Sequence, residues 1–175
     1  MKVLAFAASN SRQSINNALV KYATSRIEQA EVEILDLNDF EMPIYSIDRE
    51  KEHGIPEQAQ RFYDKVGGAD AIVISFAEHN GSYTAAYKNI FDWVSRIDMK
   101  VYQNTPMLLL ATSPGPGGAQ SVLNTAVNSA PYFAADVKAH LSIPSFFDNF
   151  DLEKNTLVND ELTTSLESAL KKLTN

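Results

Sequence analysis

The sequence predicts an α/β fold, a doubly wound, five-stranded parallel sheet with helices on both faces. Apolar runs alternate with amphipathic helical patterns, and the central runs are continuous, as in parallel strands buried on both sides. Successive runs lie far enough apart for crossover helices, which implies right-handed βαβ units. With 175 residues, 45% of them hydrophobic, the chain suits one domain spanning residues 1–175.

Short apolar runs mark the strands. Ile72-Val73-Ile74 and Leu108-Leu109-Leu110 are the clearest because no polar residue interrupts them. Strands are predicted at residues 2–7, 32–36, 71–76 and 107–111, with a weaker fifth at 138–141.

Hydrophobic residues at helical spacing mark the helices, as Leu162, Leu166 and Leu170 do near the end of the chain. Helices are predicted at residues 15–28, 56–67, 85–96, 119–134 and 160–173. Asp160 is predicted to cap the last of them. Residues 38–55 are predicted to be the longest irregular stretch.

Composition excludes several classes of function. The net charge of −7, with no run of Lys or Arg, argues against nucleic-acid binding. The chain has no cysteine, and His53, His79 and His140 lack metal-ligand spacing, so no metal site is expected. No apolar stretch has membrane-spanning length. A soluble cytoplasmic protein is therefore predicted.

Three loops of unusual composition follow three of the predicted strands. They are the first loop (residues 8–16), the second loop (residues 77–84) and the third loop (residues 112–118). In a doubly wound sheet, ligands bind beyond the carboxyl ends of the strands. The sequence therefore predicts a ligand site that these three loops share.

The first loop places hydroxyls, amides and one guanidinium at the start of a helix. Free backbone N–H groups and the helix dipole make such a place suitable for a phosphate. The loop lacks the motifs of nucleotide triphosphatases and of dinucleotide-binding folds, so a terminal phosphate monoester is the ligand it suits. An ordinary capped helix is the alternative, because Ser and Asn are preferred caps.

Glycine and proline dominate the other two loops. Gly81 in the second loop permits a tight turn. The third loop holds three of the seven glycines and two of the seven prolines, so its backbone amides can face a flat ligand closely. Ordinary turn chemistry explains either loop alone, but less easily three such loops at three strand ends.

The three loops together resemble the NADPH-dependent FMN reductase family, which includes quinone, chromate and azo-compound reductases with a flavodoxin-like fold. The resemblance covers nearly the whole chain in order. It is carried by Ser9-Asn10-Ser11-Arg12-Gln13-Ser14-Ile15-Asn16, Ala77-Glu78-His79-Asn80-Gly81-Ser82, Lys88-Asn89-Ile90-Phe91-Asp92-Trp93, and Ser113-Pro114-Gly115 with Gly117-Gly118. Ala8, Ala77 and His79 depart from the family pattern, where Gly, Pro and Tyr are usual.

The resemblance implies that FMN binds in the three loops, its phosphate in the first loop and its ring between the other two. The residues so implied are Ser9, Ser11, Arg12, Ser14, Ile15, Asn16, Ala77, Glu78, His79, Asn80, Gly81, Ser82, Ser113, Pro114, Gly115, Gly117 and Gly118. No catalytic residue is expected, because the flavin N5 carries the chemistry.

Four further residues have open roles. His79 either contacts the substrate or lies on the loop surface, and Tyr83 is a candidate wall of the pocket. Lys88 either reaches a ligand across a subunit interface or is a solvated helix lysine. Trp93 belongs to the core or to an interface. Tyr87, Phe91 and Trp93 in the helix at 85–96 predict an exposed aromatic interface.

The resemblance implies hydride transfer from NADPH or NADH through FMN to quinones, azo compounds, metal oxyanions or free flavin, in a homodimer or homotetramer. The alternative is a flavodoxin-type electron carrier without nicotinamide turnover. A signalling receiver domain shares the strand order but needs an acidic pair after the first strand, where this chain has Ala8-Ser9.

Overall fold

The computed structural model describes residues 1–174. Five parallel strands form the central sheet in the order β2-β1-β3-β4-β5. Their bounds are β1 (Lys2–Ala8), β2 (Glu31–Leu35), β3 (Ala71–Phe76), β4 (Pro106–Thr112) and β5 (Asp136–Ile143). The predicted doubly wound, flavodoxin-like sheet is confirmed, with every predicted strand present.

Within residues 1–174, seven α-helices accompany the sheet: α1 (Ile15–Ser25), α2 (Ile47–His53), α3 (Glu57–Gly67), α4 (Ala85–Val94), α5 (Gln120–Ser129), α6 (Phe146–Asn149) and α7 (Asp160–Thr174). The five predicted helices are all present, although three end earlier than predicted. The predicted helix at 119–134 stops at Ser129 and continues as a 3-10 helix, Ala130–Phe133. Pro131 explains the break, because it has no N–H to donate within an α-helix.

Two predictions about local structure are wrong. Residues 38–55 are not irregular, since a 3-10 helix (Leu37–Phe40) and α2 lie within or across that stretch. Helix α2 buries no residue, so it lacks the apolar stripe that marks a helix in a sequence. Asp160 does not cap α7, because Asn159 Oδ1 accepts the N–H of Leu162 at 3.1 Å.

The core has two halves, one on each face of the sheet. One half lies under α3, α4 and α5 and contains Phe6, Phe62 and Trp93. The other half lies under α1 and α7. Beyond β5, a short hairpin of β6 (Phe150–Asp151) and β7 (Thr156–Leu157) leads into α7.

The described chain has neither a membrane-spanning helix nor a metal cluster. No helix within residues 1–174 is both long and apolar enough to cross a bilayer. In the same range, no three His, Asp or Glu side chains come together as metal ligands.

Candidate functional site

The sheet brings the three loops to one edge. Ala8 at the end of β1 is in register with Phe76 at the end of β3, and Phe76 is in register with Ala111 near the end of β4. The chain order reverses between β1 and β3, so this edge is the switch point at which doubly wound folds bind ligands.

A buried asparagine connects the start of α1 to two strand ends. Asn16 is only 3% exposed. Its Oδ1 accepts from Ser75 Oγ at 2.7 Å and from the N–H of Thr112 at 3.2 Å, and its Nδ2 donates to the Thr112 carbonyl at 3.3 Å. The side chain of this predicted phosphate residue therefore binds the sheet, and its backbone N–H is the group left for an anion.

The helix start that follows the first loop is not capped by a side chain. Ser14 is the capping residue of α1, but its hydroxyl makes no capping hydrogen bond. Inside the loop, Ser9 Oγ accepts the N–H of Ser11 at 3.1 Å, and the N–H of Ser14 donates to the Ser11 carbonyl at 3.2 Å. The positive end of the α1 dipole thus has no side-chain cap, which suits the binding of a phosphate.

A cavity of about 320 Å³ adjoins the first loop. Ser9, Ser11 and Arg12 line it from the loop, and Lys21 lines it from α1. Arg12 lies in the loop before the helix start and favours a dianion there, while Asp36 also lines the cavity. A larger cavity of about 800 Å³ lies at the opposite edge of the sheet, beside Met1, and contains none of the predicted site residues.

The second loop contains a β-turn from His79 to Ser82, with two residues between them. The N–H groups of His79 and Ser82 donate to each other's carbonyls at 3.0 and 3.1 Å. Asn80 and Gly81, between them, have φ of 53° and 77°, the left-handed pair that a type I′ turn requires. The predicted tight turn at Gly81 is confirmed, and the imidazole of His79 is exposed beside it.

Two glycines of the third loop face open space, while the last is enclosed. A Cβ on Gly115 or Gly117 would meet nothing within 4 Å. Gly118 has φ of 57°, and a Cβ there would collide with Ser142 Oγ and Pro144. Gly118 therefore lets the loop pack on the chain after β5, while Gly115 and Gly117 leave room for a flat ligand.

Sequence reasoning missed the residues that support these loops. Thr84 Oγ1 donates to the Ala8 carbonyl at 2.9 Å and accepts the N–H of Tyr87, so it caps α4 and holds the second loop to β1. Ser142 Oγ donates to the Gly118 carbonyl at 2.7 Å, and the N–H of Ser145 donates to the Gly115 carbonyl at 2.9 Å. Only Thr84 had a sequence signal, since Thr before a helical pattern is a common cap.

The aromatic residues of α4 are not exposed as predicted. Tyr87 and Trp93 are 2% and 1% exposed and belong to the core, and Phe91 is half-buried against it. Trp93 Nε1 donates to the Pro43 carbonyl at 2.7 Å. The prediction of an exposed aromatic interface is wrong because these rings fill the space between α4 and the sheet.

Asn89 holds the segment before α2 against α4. Its Oδ1 accepts the N–H of Tyr45 at 2.9 Å, and its Nδ2 donates to the carbonyls of Met42 and Pro43. Lys88, its neighbour, is exposed and pairs with Asp92 Oδ1 at 2.6 Å. Lys88 therefore lies on the exposed side of α4 with a carboxylate partner, and its reach to a ligand across a subunit interface stays a prediction.

Three tyrosines contact one another in series: Tyr83 in the second loop, Tyr87 in α4 and Tyr102 in the loop before β4. The ring of Tyr83 is 5.3 Å from that of Tyr87, and its hydroxyl is 3.3 Å from Ser129 Oγ. Tyr87 and Tyr102 share a buried hydroxyl contact of 2.6 Å. Burial raises the pKa of all three phenols, so they stay neutral at physiological pH.

These features fit a flavin mononucleotide. An uncapped helix start with Arg12 beside it can hold the phosphate, and the open faces of Gly81, Gly115 and Gly117 leave room for a planar ring. The seventeen residues that the resemblance implied lie in three loops that follow strands ending at one edge of the sheet, and the side chain of Asn16 is turned to the sheet.

Comparisons with known proteins agree with this geometry. A sequence model of the family described as NADPH-dependent FMN reductase matches residues 1–148. A quinone reductase of Escherichia coli K12 is 30% identical over 111 residues, which cover 62% of this chain and 59% of that protein. An uncharacterised protein of Mycoplasma pneumoniae is 27% identical over 158 residues, covering 87% of this chain and 92% of that protein.

Among solved structures, the flavoenzyme NAD(P)H:(acceptor) oxidoreductase of Paracoccus denitrificans superimposes with a TM-score of 0.76. The alignment covers 99% of this chain and 97% of that one at 21% identity, which supports the fold.

Proposed function

The chain belongs to the NADPH-dependent FMN reductase family, and from that premise we propose that its three loops hold FMN and that it passes reducing equivalents from NAD(P)H to small acceptors such as quinones. The observation that carries the proposal is the meeting of an uncapped helix start, a left-handed glycine turn and two open glycines at one sheet edge. We take residues 1–175 to act as one domain.

Each loop would have its own task in binding. The phosphate would accept from the backbone N–H groups of Ile15 and Asn16 and from Arg12, with the hydroxyls of Ser9, Ser11 and Ser14 nearby. The ring would lie between the turn at Asn80-Gly81 and the backbone from Ser113 to Gly118. The side chain of Asn16 would support the phosphate loop from below rather than touch the ligand.

When bound, FMN would supply the hydride-transfer chemistry at its N5. The chain supplies position and electrostatics. Backbone N–H groups of the second and third loops are donors for the negative charge that accompanies reduction, and a rigid loop offers them without reorganisation. Neither Glu78 nor Asp92 is needed as a proton carrier, and each already has a partner, Val122 N–H and Lys88 respectively.

Quinones are the leading acceptor class, and azo compounds, metal oxyanions and free flavin are further candidates. The support is the name of the Escherichia coli relative and the flat, open surface at Gly115 and Gly117. We also propose a homodimer or homotetramer that contributes to the acceptor site, and a cytoplasmic location where reduced nicotinamide is supplied.

The test is an absorption spectrum followed by reduction. The purified protein should bind FMN with bands typical of a flavoprotein. Anaerobic addition of NADPH or NADH should bleach those bands within seconds, and a quinone should restore them. A protein that binds FMN but is not bleached by either nucleotide is an electron carrier, and one that binds no FMN refutes the proposal.

A further inference from the structure

The glutamate of the second loop caps a helix that begins after the third loop. Glu78 Oε2 accepts the N–H of Val122, the third residue of α5, at 2.9 Å. The residue before α5, Ala119, has φ of 57° and provides no side-chain cap. The carboxylate of Glu78, 44 positions earlier in the sequence, therefore caps α5 in place of the residue before the helix.

This contact spans two loops that are otherwise held separately. The turn at Asn80-Gly81 begins two residues after Glu78, and the enclosed Gly118 lies two residues before α5. Both neighbours have left-handed φ values, and the bond to Val122 joins the two loops that contain them. A negative charge at a helix start is also stabilised by the helix dipole.

We propose that Glu78 is a positioning residue, which acts through the amino end of α5 to set the gap between the second and third loops. The inference rests on the proposed function, because the flavin ring is taken to lie in that gap. It changes the role that the family resemblance implied, since the Glu78 carboxylate is occupied by α5 and acts on the ring through loop spacing.

The experiment compares Glu78→Ala, Glu78→Asp and Glu78→Gln with the parent. Two quantities are measured: the hydrogen exchange of the Val122 amide in flavin-free protein, and the affinities for FMN and riboflavin by fluorescence titration. Ser46→Ala is the matched control, because it removes the cap of α2, away from the three loops.

Glu78→Ala should speed exchange at Val122 and weaken FMN and riboflavin equally, by about tenfold, as the loss of a helix cap at a binding loop implies. Equal loss is expected because the affected loops hold the ring and not the phosphate. Glu78→Asp has a side chain one methylene shorter, so its affinities for FMN and riboflavin should fall in the same way. Glu78→Gln can still accept the N–H and should stay within about twofold of the parent. Ser46→Ala should leave both affinities unchanged.

Three results would overturn the inference. Unchanged exchange of the Val122 amide in Glu78→Ala would show that Glu78 does not cap α5. Unchanged flavin affinity in the same variant would show that the cap has no role in flavin binding. Equal losses in Glu78→Gln and Glu78→Ala would mean that the hydrogen bond to the N–H of Val122 is not what sets the flavin affinity. If the parent binds neither flavin, the proposed function and the flavin role of Glu78 both fail, although exchange at Val122 still decides whether the cap exists.

Discussion

We expect phosphate binding to depend most on Arg12, because it is the cation of the first loop beside the uncapped start of α1. Replacing Arg12 by Ala removes a charge-assisted hydrogen bond, a loss of about 1.5–3 kcal/mol or roughly one to two decades in FMN affinity. Riboflavin has no phosphate, so its affinity should not change. Fluorescence titration measures both, with Lys100→Ala as an exposed control outside the loops. Equal FMN affinity in Arg12→Ala would exclude Arg12 from the site.

His79 is expected to influence the acceptor and not the flavin. Its backbone closes the turn with Ser82, while its imidazole is exposed. His79→Tyr should therefore leave FMN affinity nearly unchanged and alter the relative turnover of quinone, azo and oxyanion acceptors at saturating NADPH. Fixed rate ratios together with weaker FMN binding would assign His79 to the cofactor site instead.

Local composition was enough to predict the three loops that meet at one edge of the sheet, because loops that bind phosphate or a flat ring need Ser, Arg and Gly at particular places. It was not enough to find their supports. Thr84 bonds to Ala8, 76 positions earlier, and Asn16 bonds to Thr112, 96 positions later. Such pairs are decided by which strand ends become neighbours, and a single sequence does not reveal that directly.

At the scale of elements, α4 is anchored by a buried tyrosine pair. Tyr87 lies on α4, and Tyr102 lies in the loop before β4. Tyr102→Phe leaves the Tyr87 hydroxyl unpaired in the core, which should lower the free energy of unfolding by about 1–3 kcal/mol. Replacing both by Phe should recover much of that loss, since no polar group is then stranded. Urea unfolding followed by Trp93 fluorescence gives the double-mutant cycle, and additive losses would contradict a direct bond.

The ion pair between α2 and the end of α4 should make stability depend on pH. The hydrogen bond from Arg96 Nε to Glu50 Oε2, at 2.9 Å, lowers the pKa of Glu50 below its usual value of 4.5. A lowered folded-state pKa stabilises the fold above the unfolded value, and the contribution is lost as pH falls through the folded value. Glu50→Gln should therefore lower the urea midpoint at pH 7 and not below about pH 3. A difference that persists in acid would assign the effect to packing.

The helices that the sequence predicted are those with an apolar stripe, as in α7, where Leu166, Leu170 and Leu173 are buried. Helix α2 has no buried residue and is defined by its ends. Ser46 Oγ accepts the N–H of Arg49, and Gly54 follows the last turn with φ of 75°. Cap and glycine were both visible in the sequence, but without hydrophobic periodicity they indicate a turn as readily as a helix.

At the scale of the whole molecule, the pattern of strands and helices was enough to predict the architecture. Which apolar side chains are exposed on the surface became clear only from the structure. The aromatic residues of α4 that suggested an interface are core residues, and the exposed apolar side chains lie elsewhere. Ile44 is 76% exposed, and Ile47 and Met99 are also exposed. Ile44 precedes α2 and Ile47 begins it. Glu50 of α2 forms an ion pair with Arg96, which lies just beyond α4, and Met99 lies three residues after Arg96.

An assembly of copies through this surface is the prediction at this scale, because exposed large aliphatic side chains are typical of interfaces. The parent should be a dimer or tetramer by light scattering at micromolar concentration. Ile44→Asp with Ile47→Asp should reduce its mass, since a charge buried at an interface has no partner there. Val158→Asp, at a position before α7 that is 55% exposed, should not. If the parent is a monomer with full reductase activity, each chain completes its own acceptor site and the assembly has no part in function.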